Sequence, residues 1–554
     1  RLNVFRQHSS AVWGYCFDLI GSLLGVIAIA VLGYVRSFPA VWLAAGLLPG
    51  LYLFRRRRRS VVLFLAVATA TIALVHFRER GEAYSPYYEL RTRSTGKNLV
   101  EVLANGSLHQ VALNLRRGEA VRNPYVERAR EGYHLLYGYL DATPRRALVL
   151  GAGTGNDVAV LLDRGVQEID AVEIDPVIVE LGERLHPNRP YSDERVRVFR
   201  TDARSFLNEH GESYDLIVFG TLDSMTRLSA LSNVRLDNYV YTREALEAAK
   251  RRLAPGGGVA MFFMVGTPYI EARLHGLLTE VFGEAPIMHA EAYGLFNRLY
   301  LAGPAFAGRD SAGREAVAAA LRQQGGEVDL PSDDWPFLYL RERGISSFYA
   351  SLIAVFLGIA CVAILSASKE LRAGLRERRA AVDLPMFLFG VAFLLLETRA
   401  VTAMNLVWGA TWISSAIVFA SILLMILLAT IASKLRRIPS DAAFVGLFAS
   451  IVMTYVVPVR WLPGMGTGVK LVASCILVGL PIAFAAICFA VLFDRRPRAD
   501  AALGWNLLGA VCGGMLEFLS MVVGLKGMLL VALGAYLAAF ASSRREGVSA
   551  RGEG

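Results

Sequence analysis

The sequence predicts an α-helical multi-pass membrane protein of about ten transmembrane helices, three before and seven after an inserted doubly wound, Rossmann-like α/β domain that a small β-region precedes. Three observations carry this expectation. Apolar residues make up 54% of the 554 positions and charged residues 19%, and the apolar ones gather into runs near the ~20 residues that cross a bilayer as a helix. From about Arg78 to Arg343 the composition changes to mixed charge and turn residues. Within that stretch, short strand-like runs alternate with helical ones, the pattern of a parallel sheet.

The same arithmetic excludes several classes. So apolar a chain is neither disordered nor fibrous. The net charge of +10 sits mostly in short loops between apolar runs, where cations set membrane orientation, so no nucleic-acid partner is expected. The five cysteines (Cys16, Cys361, Cys475, Cys488, Cys512) all fall inside apolar runs, which leaves no disulfide framework and no CxxC site. All eight histidines precede residue 290 without an HxxxH pair, and no metal is expected.

Residues 1–77 hold three apolar segments, at about 11–35, 38–54 and 60–77, the last two separated by Arg55–Arg59. Residues 78–343 are the soluble domain, with a β-region at about 83–125 and a Rossmann-like core at about 126–300. Residues 344–554 hold seven segments, near 346–368, 385–407, 411–433, 441–458, 470–493, 501–524 and 526–542. The chain begins at Arg1 rather than Met, and no segment reads as a cleavable signal peptide. With ten crossings, the face opposite the soluble domain receives 21 Lys and Arg, against eight on its own face with the domain-flanking arginines included. Cytoplasmic loops carry the cation excess, so the charge count places the soluble domain on the extracytoplasmic side of a bacterial inner membrane.

The soluble domain opens its alternation with the strand Ala147–Leu150, followed by Gly151-Ala-Gly-Thr-Gly-Asn-Asp157 and a helix from Val158. A second strand, Glu168–Ile174, ends in Glu173-Ile-Asp175, with Glu173 eighteen residues after Gly155. Then come Val196–Arg200 leading to Thr201-Asp202-Ala203, Tyr214–Phe219 leading to Gly220-Thr-Leu-Asp223, and Gly258–Phe263 after a Pro255-Gly-Gly-Gly258 turn. Ligands of such sheets bind at the carboxyl ends of the strands. Glycines at 151, 153 and 155 permit close backbone approach and are expected to leave helix N-terminal amides facing a ligand. An acid at Glu173 can accept from both ribose hydroxyls, and Asp202 is placed to meet an adenine. Together they point to a nucleoside-type ligand.

GAGTGND, VEIDP, TDARSFL, YDLIVFG and Asn238-Tyr-Val-Tyr-Thr242 resemble the spermidine/spermine synthase family, as do Ser85-Pro-Tyr-Tyr-Glu-Leu90, Leu103-Ala-Asn-Gly-Ser-Leu-His-Gln110 and Tyr133-His134. The resemblance covers about Ser85 to Phe263, and with apolar helices on both sides the chain looks like multi-pass bacterial membrane proteins carrying such a domain. It implies a class I S-adenosylmethionine-dependent transferase fold, with S-adenosylmethionine or its decarboxylated form as the nucleoside. It implies cofactor contacts from Gly151, Gly153, Gly155, Asp157, Glu173, Asp175, Asp202, Ala203 and Glu89, and places Asp223, Tyr133, His134, Tyr239 and Tyr241 around the transferred group, with His134 a natural proton acceptor near neutral pH. It also implies a homodimer. Three positions depart from the family. Gly220 stands at the first Asp of its D-x-x-D motif, with Asp223 at the second. Glu89 stands where Gln is usual, and Asn105 where Asp is frequent. Ordinary polyamine synthesis is therefore not expected.

Ionisable residues in apolar helices mark function or a buried partner. Glu397, Arg399 and Glu517, with Asn506 beside them, form a candidate polar site, open to a lipid headgroup or peptide or simply structural. Glu397 and Arg399, two apart, project about 200° from one another. Gly509 and Gly513 read as close helix packing, and Asp333-Asp334-Trp335-Pro336 as a hinge with an interfacial Trp anchor. Three functions follow. The first is a nucleoside-dependent transferase acting on a membrane-presented acceptor such as an amine-bearing lipid. The others are a transporter with a regulatory nucleoside-binding domain, and a reused fold serving extracytoplasmic non-S-adenosylmethionine chemistry or docking. The outward topology conflicts with the first, because S-adenosylmethionine is made in the cytosol.

Overall fold

The computed structural model describes residues 11–78, 83–94, 96–222, 238–325, 328–367, 383–435, 438–496 and 498–552. Contacts group the chain into two compact units, Ile27–Leu330, and Arg1–Val26 with Pro331–Gly554.

In the first unit, helices Pro39–Phe54 and Arg58–Arg78 precede a four-stranded antiparallel sheet, β1 (Ala83–Tyr84), β2 (Glu89–Ser94), β3 (Leu99–Ala104) and β4 (Ser107–Leu113), ordered β1-β2-β3-β4. Asn105 and Gly106 turn β3 into β4 with φ of 51° and 81°, the left-handed pair that tight hairpins demand. Asn105 also caps the neighbouring strand, its Oδ1 accepting from the Glu89 amide at 3.1 Å.

The α/β core is a seven-stranded sheet of β5 (Arg146–Leu150), β6 (Glu168–Glu173), β7 (Val196–Arg200), β8 (Tyr214–Phe219), β9 (Leu253–Phe263), β10 (Ile287–His289) and β11 (Arg298–Ala302), ordered β10-β11-β9-β8-β5-β6-β7. The five expected strands pair in parallel. The hairpin β10–β11 adds an antiparallel edge that the alternation did not announce, because a three-residue strand is too short to show a period. β9 begins at Leu253, so the Pro255-Gly-Gly-Gly258 run lies within it, where the pairing with β8 shifts register. The chain leaves β5 towards β6 on one side and meets β8 on the other. The loops after β5 and β8 therefore meet at the switch point where ligands of doubly wound sheets bind.

Val, Leu and Ala of β5, β6 and β8, fully buried, form the core with Phe262, Phe296 and Tyr133. A carboxyl lies within it. Asp170 of β6, 1% exposed, accepts two bonds from Arg197 at 2.7 Å and one from the Tyr214 hydroxyl at 2.8 Å. Such partners offset the cost of taking a polar group out of water.

Helices occur at all ten places where apolar segments were expected. Among the described residues six are long and apolar enough to cross a membrane: Trp13–Tyr34, Arg58–Arg78, Leu384–Trp408, Trp412–Leu435, Thr467–Asp494 and Ala501–Arg545. Pro39–Phe54, Ser347–Ala363 and Ser440–Val456 are shorter; at 1.5 Å per residue, sixteen residues reach only about 24 Å of a ~30 Å hydrocarbon layer. The last two expected segments run on as one helical stretch with a break at Gly524 (φ 79°).

In the second unit, helix Leu384–Trp408 lies against Ala499–Leu516 with the backbones in contact. A Cβ at Gly513 would fall 2.5 Å from the Val391 carbonyl, and Gly390 and Gly509 are equally closed by Asn506 and Phe387. Asp334 accepts from the Lys526 amide at 2.6 Å and its carbonyl from the Leu525 amide at 2.8 Å, holding the Gly524 break. Trp335 is 1% exposed and its Nε1 donates to the Met521 carbonyl at 2.9 Å. It is an internal clamp rather than an interfacial anchor: an indole N–H with a carbonyl partner is satisfied without water.

Candidate functional site

The site forms at the carboxyl ends of β5, β6 and β8. Gly151, Gly153 and Gly155 take φ of 70°, 56° and 108°, left-handed values open to glycine, and turn β5 into helix Asn156–Asp163. The amides of residues 151–155, before the helix proper, are bonded within the chain. Those of Gly151 and Ala152 donate to the Val172 carbonyl at 2.9 Å, and Gly155 donates to Ala152. Gly153 donates to Glu173 Oε2 at 2.9 Å and Thr154 to Gln110 Oε1 at 2.8 Å. The chain thus satisfies the amides from Gly151 to Gly155.

The side chains gathered around the turn are acidic. Glu173, at the tip of β6, is 8% exposed and also accepts from the Asp175 amide at 3.0 Å. Burial lifts its carboxyl to about 7, outweighing the amides that favour the charged form. Asp157, in the first turn of its helix, is equally buried, and desolvation lifts it to about 7 too. Its Oδ1 has no hydrogen-bond partner. Asp175 is fully buried and caps helix Pro176–Leu185 through the Val177 amide at 2.8 Å. Burial raises its carboxyl as well. Asp202 caps the next helix through Ser205 at 2.8 Å, with Ala203 as that helix's first residue. Both serve as N-caps, for which aspartate is a preferred residue.

The expected catalytic residues divide. Tyr133 is buried between Phe262 and Phe296, its hydroxyl 3.4 Å from Asn156 Nδ2, so it reaches the turn from below. His134 does not reach the strand ends. Its Nε2 is 2.9 Å from the Leu115 carbonyl and its Nδ1 accepts from Arg164 Nε at 2.9 Å. Arg164 follows the far end of helix Asn156–Asp163, about 12 Å along the axis from the turn. With both ring nitrogens engaged and burial lowering its proton affinity, His134 is a structural link and not the proton acceptor expected. Tyr239 and Tyr241 are buried in the turn Asn238–Tyr241, Tyr241 edge-on to Phe263. Asp223 lies outside the described residues. Glu89 pairs with Arg91 at 2.9 Å on its own strand.

Four residues of the site escaped notice in the sequence. Asn156 ties the β-region to the core, accepting from Leu113 N at 3.0 Å and donating to the Val111 carbonyl at 2.7 Å, with His186 Nε2 at 3.1 Å from its Oδ1. Gln110 of β4 reaches over Gly153, where a Cβ would meet its Oε1 at 2.5 Å. Tyr191 donates to the Gly153 carbonyl at 2.6 Å. Leu222 folds back onto Gly151. A polar residue beside a glycine motif is the one signal the sequence offered, and it marks only Asn156.

In the second unit, Asn506 Nδ2 donates to the Met386 carbonyl at 3.1 Å, a link between the two closest helices. Glu397 and Arg399 lie half-buried on helix Leu384–Trp408, and Glu517 opens the 3-10 turn that ends Ala499–Leu516. Among the described residues no group of His, Cys, Asp and Glu is arranged to hold a metal ion.

The switch point of this seven-stranded α/β sheet, with an acid at the second strand tip, is where ligands of doubly wound sheets bind. Residues 135–271 match the family described as Spermine/spermidine synthase domain. The chain is 34% identical over 82 residues to a polyamine aminopropyltransferase of Thermoplasma volcanium, covering 14% of this chain and 30% of that protein. It is 24% identical over 302 residues to polyamine aminopropyltransferase 1 of Streptomyces coelicolor, covering 48% and 50%. The chain thus spans half or less of the length of these curated relatives. Among solved structures, spermidine synthase from Thermotoga maritima aligns at a TM-score of 0.32 with 12% identity, covering 40% of this chain and 70% of that one. The chain carries a spermidine/spermine synthase-like domain, together with several helices apolar enough to cross a membrane.

Proposed function

We propose that this domain is a transferase using a sulfonium nucleoside, decarboxylated S-adenosylmethionine or S-adenosylmethionine, and passing a group from it to an amine. The observation that carries this is the charge of the crevice. The amides of residues 151–155 are bonded within the chain, while Glu173 stands on the Gly153 amide and Asp157 Oδ2 lies 3.4 Å from the Cβ position of Gly220. Such a site disfavours phosphate and favours a cationic, phosphate-free nucleoside. Glu173 spends two of its roughly four lone-pair positions on amides and keeps others for ribose hydroxyls. Bound there, the nucleoside supplies an electrophilic carbon on a positively charged sulfur. The chain's part is to hold the ribose at Glu173, to exclude water with Leu222 and Tyr191, and to take up the proton released by the amine.

The relatives' names supply the acceptor class, polyamines. The missing side chain at Gly220 and the apolar helices flanking the domain in sequence favour a second acceptor, an amine-bearing lipid. Calorimetry of the full chain in detergent, with decarboxylated S-adenosylmethionine, S-adenosylmethionine and methylthioadenosine, tests the reading. Binding of one or more, weakened by Glu173→Gln, is expected; binding of none refutes it. Methylthioadenosine release with 1,4-diaminobutane, compared with release in nanodiscs containing phosphatidylethanolamine, separates the two acceptors.

A further inference from the structure

Gly220 follows β8 at the position where the resemblance places the first Asp of the D-x-x-D motif. The geometry explains why no side chain stands there. A Cβ on residue 220 would lie 2.7 Å from the Gly151 carbonyl oxygen and 3.3 Å from that of Leu150, and the Gly220 amide is bonded to the Leu150 carbonyl at 3.0 Å. Backbone cannot yield as a flexible side chain can, so the ends of β5 and β8 are in contact and position 220 is closed to any larger residue. The third atom nearest that Cβ position is Asp157 Oδ2, at 3.4 Å. A carboxylate therefore does stand beside the end of β8, but it is delivered by the first turn of the neighbouring helix.

We propose that Asp157 is the general base of the transfer, taking over at the end of β8 the acid position that Gly220 leaves vacant. This rests on the transferase reading above and adds a residue and a role to it. In the step, the amine nitrogen forms its bond to the carbon attached to sulfur. The carbon–sulfur bond breaks with its electron pair passing to sulfur, which becomes a neutral thioether. The N–H proton passes to Asp157, leaving a neutral amine product and a neutral carboxylic acid.

Three features of Asp157 fit a base better than a binding contact. Its Oδ1 is buried without a partner, an acceptor held unsatisfied in the interior, and such a group is costly unless something supplies a donor. Among the described residues it makes no ion pair, so no fixed cation holds it charged. The titratable groups whose fields it shares are Tyr133, Tyr137 and Tyr191, of which Tyr191 also feels Glu173. Burial keeps all three tyrosines protonated, so they offer O–H groups rather than charge. Glu173, Asp175 and Asp202 are tied by amides of other residues, whereas the backbone bond of Asp157 is to its own amide.

The test is Asp157→Asn in the full chain in detergent, with decarboxylated S-adenosylmethionine and 1,4-diaminobutane as probes, methylthioadenosine release as turnover, and methylthioadenosine calorimetry as binding. Loss of about a hundredfold or more in kcat is expected, with methylthioadenosine affinity held within about threefold and the acid limb of the wild-type kcat profile abolished. A drop in kcat of less than about threefold overturns the proposal, as does a loss of binding that matches the loss of turnover, which would make Asp157 a binding contact. The wild type gives a second, independent arm in case the variant does not fold. A kcat that is flat from about pH 5 to 8 also overturns the proposal. Wild type that neither binds nor turns over the nucleoside refutes the transferase reading itself, an outcome distinct from wild type that turns over alongside an equally active Asp157→Asn.

Discussion

Replacing Glu173 with Gln tests whether the acid at the tip of β6 is held out of water as the structure places it. Its carboxyl is 8% exposed, and burial lifts it from 4.5 to about 7. A group whose folded value is raised gives stability that is complete below its unfolded value and is lost as pH rises to the folded one. At 1.36 kcal/mol per pH unit, that interval corresponds to about 3 kcal/mol, lost between about pH 4.5 and 7. Gln does not titrate. It leaves either the Gly153 or the Asp175 amide facing an NH₂ group, at a cost of about 1 kcal/mol that is the same at every pH. The stability of the variant relative to wild type should therefore climb by about 3 kcal/mol across that window, while affinity for an adenosine-type ligand falls. All seven tryptophans lie outside residues 83–330, so intrinsic fluorescence does not follow this domain. Hydrogen exchange by mass spectrometry over the β5 and β6 peptides, corrected for the intrinsic pH dependence, does. A difference that stays constant to within about 0.5 kcal/mol over the window would show an ordinary, solvated carboxyl and remove the physical basis of the site.

Asp170→Asn should destabilise the α/β core by about 1–3 kcal/mol, because it removes an acceptor oxygen from the buried bonds to Arg197 and Tyr214; exchange protection of β6 and β7 measures it. Gly153→Ala should cost about 1–2 kcal/mol for the left-handed backbone alone, with a further loss where the new methyl meets Gln110; measured against the Gln110→Ala single variant, which itself frees the Thr154 amide, the double variant should lose only the backbone part. Asp334→Ala should lower stability by about 0.5–1.5 kcal/mol by removing the bond to the Lys526 amide at the helix break, read as an earlier fluorescence transition, since Trp335 lies beside it. A cysteine introduced at the exposed Ser213 and labelled in intact cells supports the outward orientation from the cation count, whereas labelling only after lysis reverses it.

The fold was largely written in local pattern. Runs of about twenty apolar residues produced helices at their expected places, and the alternation from Ala147 to Phe263 produced five parallel strands in their expected order, because side-chain period and turn residues act over a few neighbours. The glycine turn and the acid after β6 were legible for the same reason: each is a residue type at a fixed distance along the chain. The antiparallel edge was not, since Ile287–His289 offers too few residues to show alternation.

Sequence alone determined which segments are apolar, which strands alternate with helices, and that Gly151, Gly153, Gly155 and Glu173 belong to one crevice. Only the tertiary structure decided what those groups touch. Thr154 gives its amide to Gln110, forty-four residues earlier. His134 is spent on Leu115 and Arg164, and Trp335 on Met521. Gly220 is closed by the Gly151 carbonyl while Asp157 stands beside it. Those assignments depend on packing between segments far apart in the chain. Most buried donors and acceptors find a partner once water is excluded, and which partner each finds is set by three-dimensional proximity that spacing along the chain does not encode.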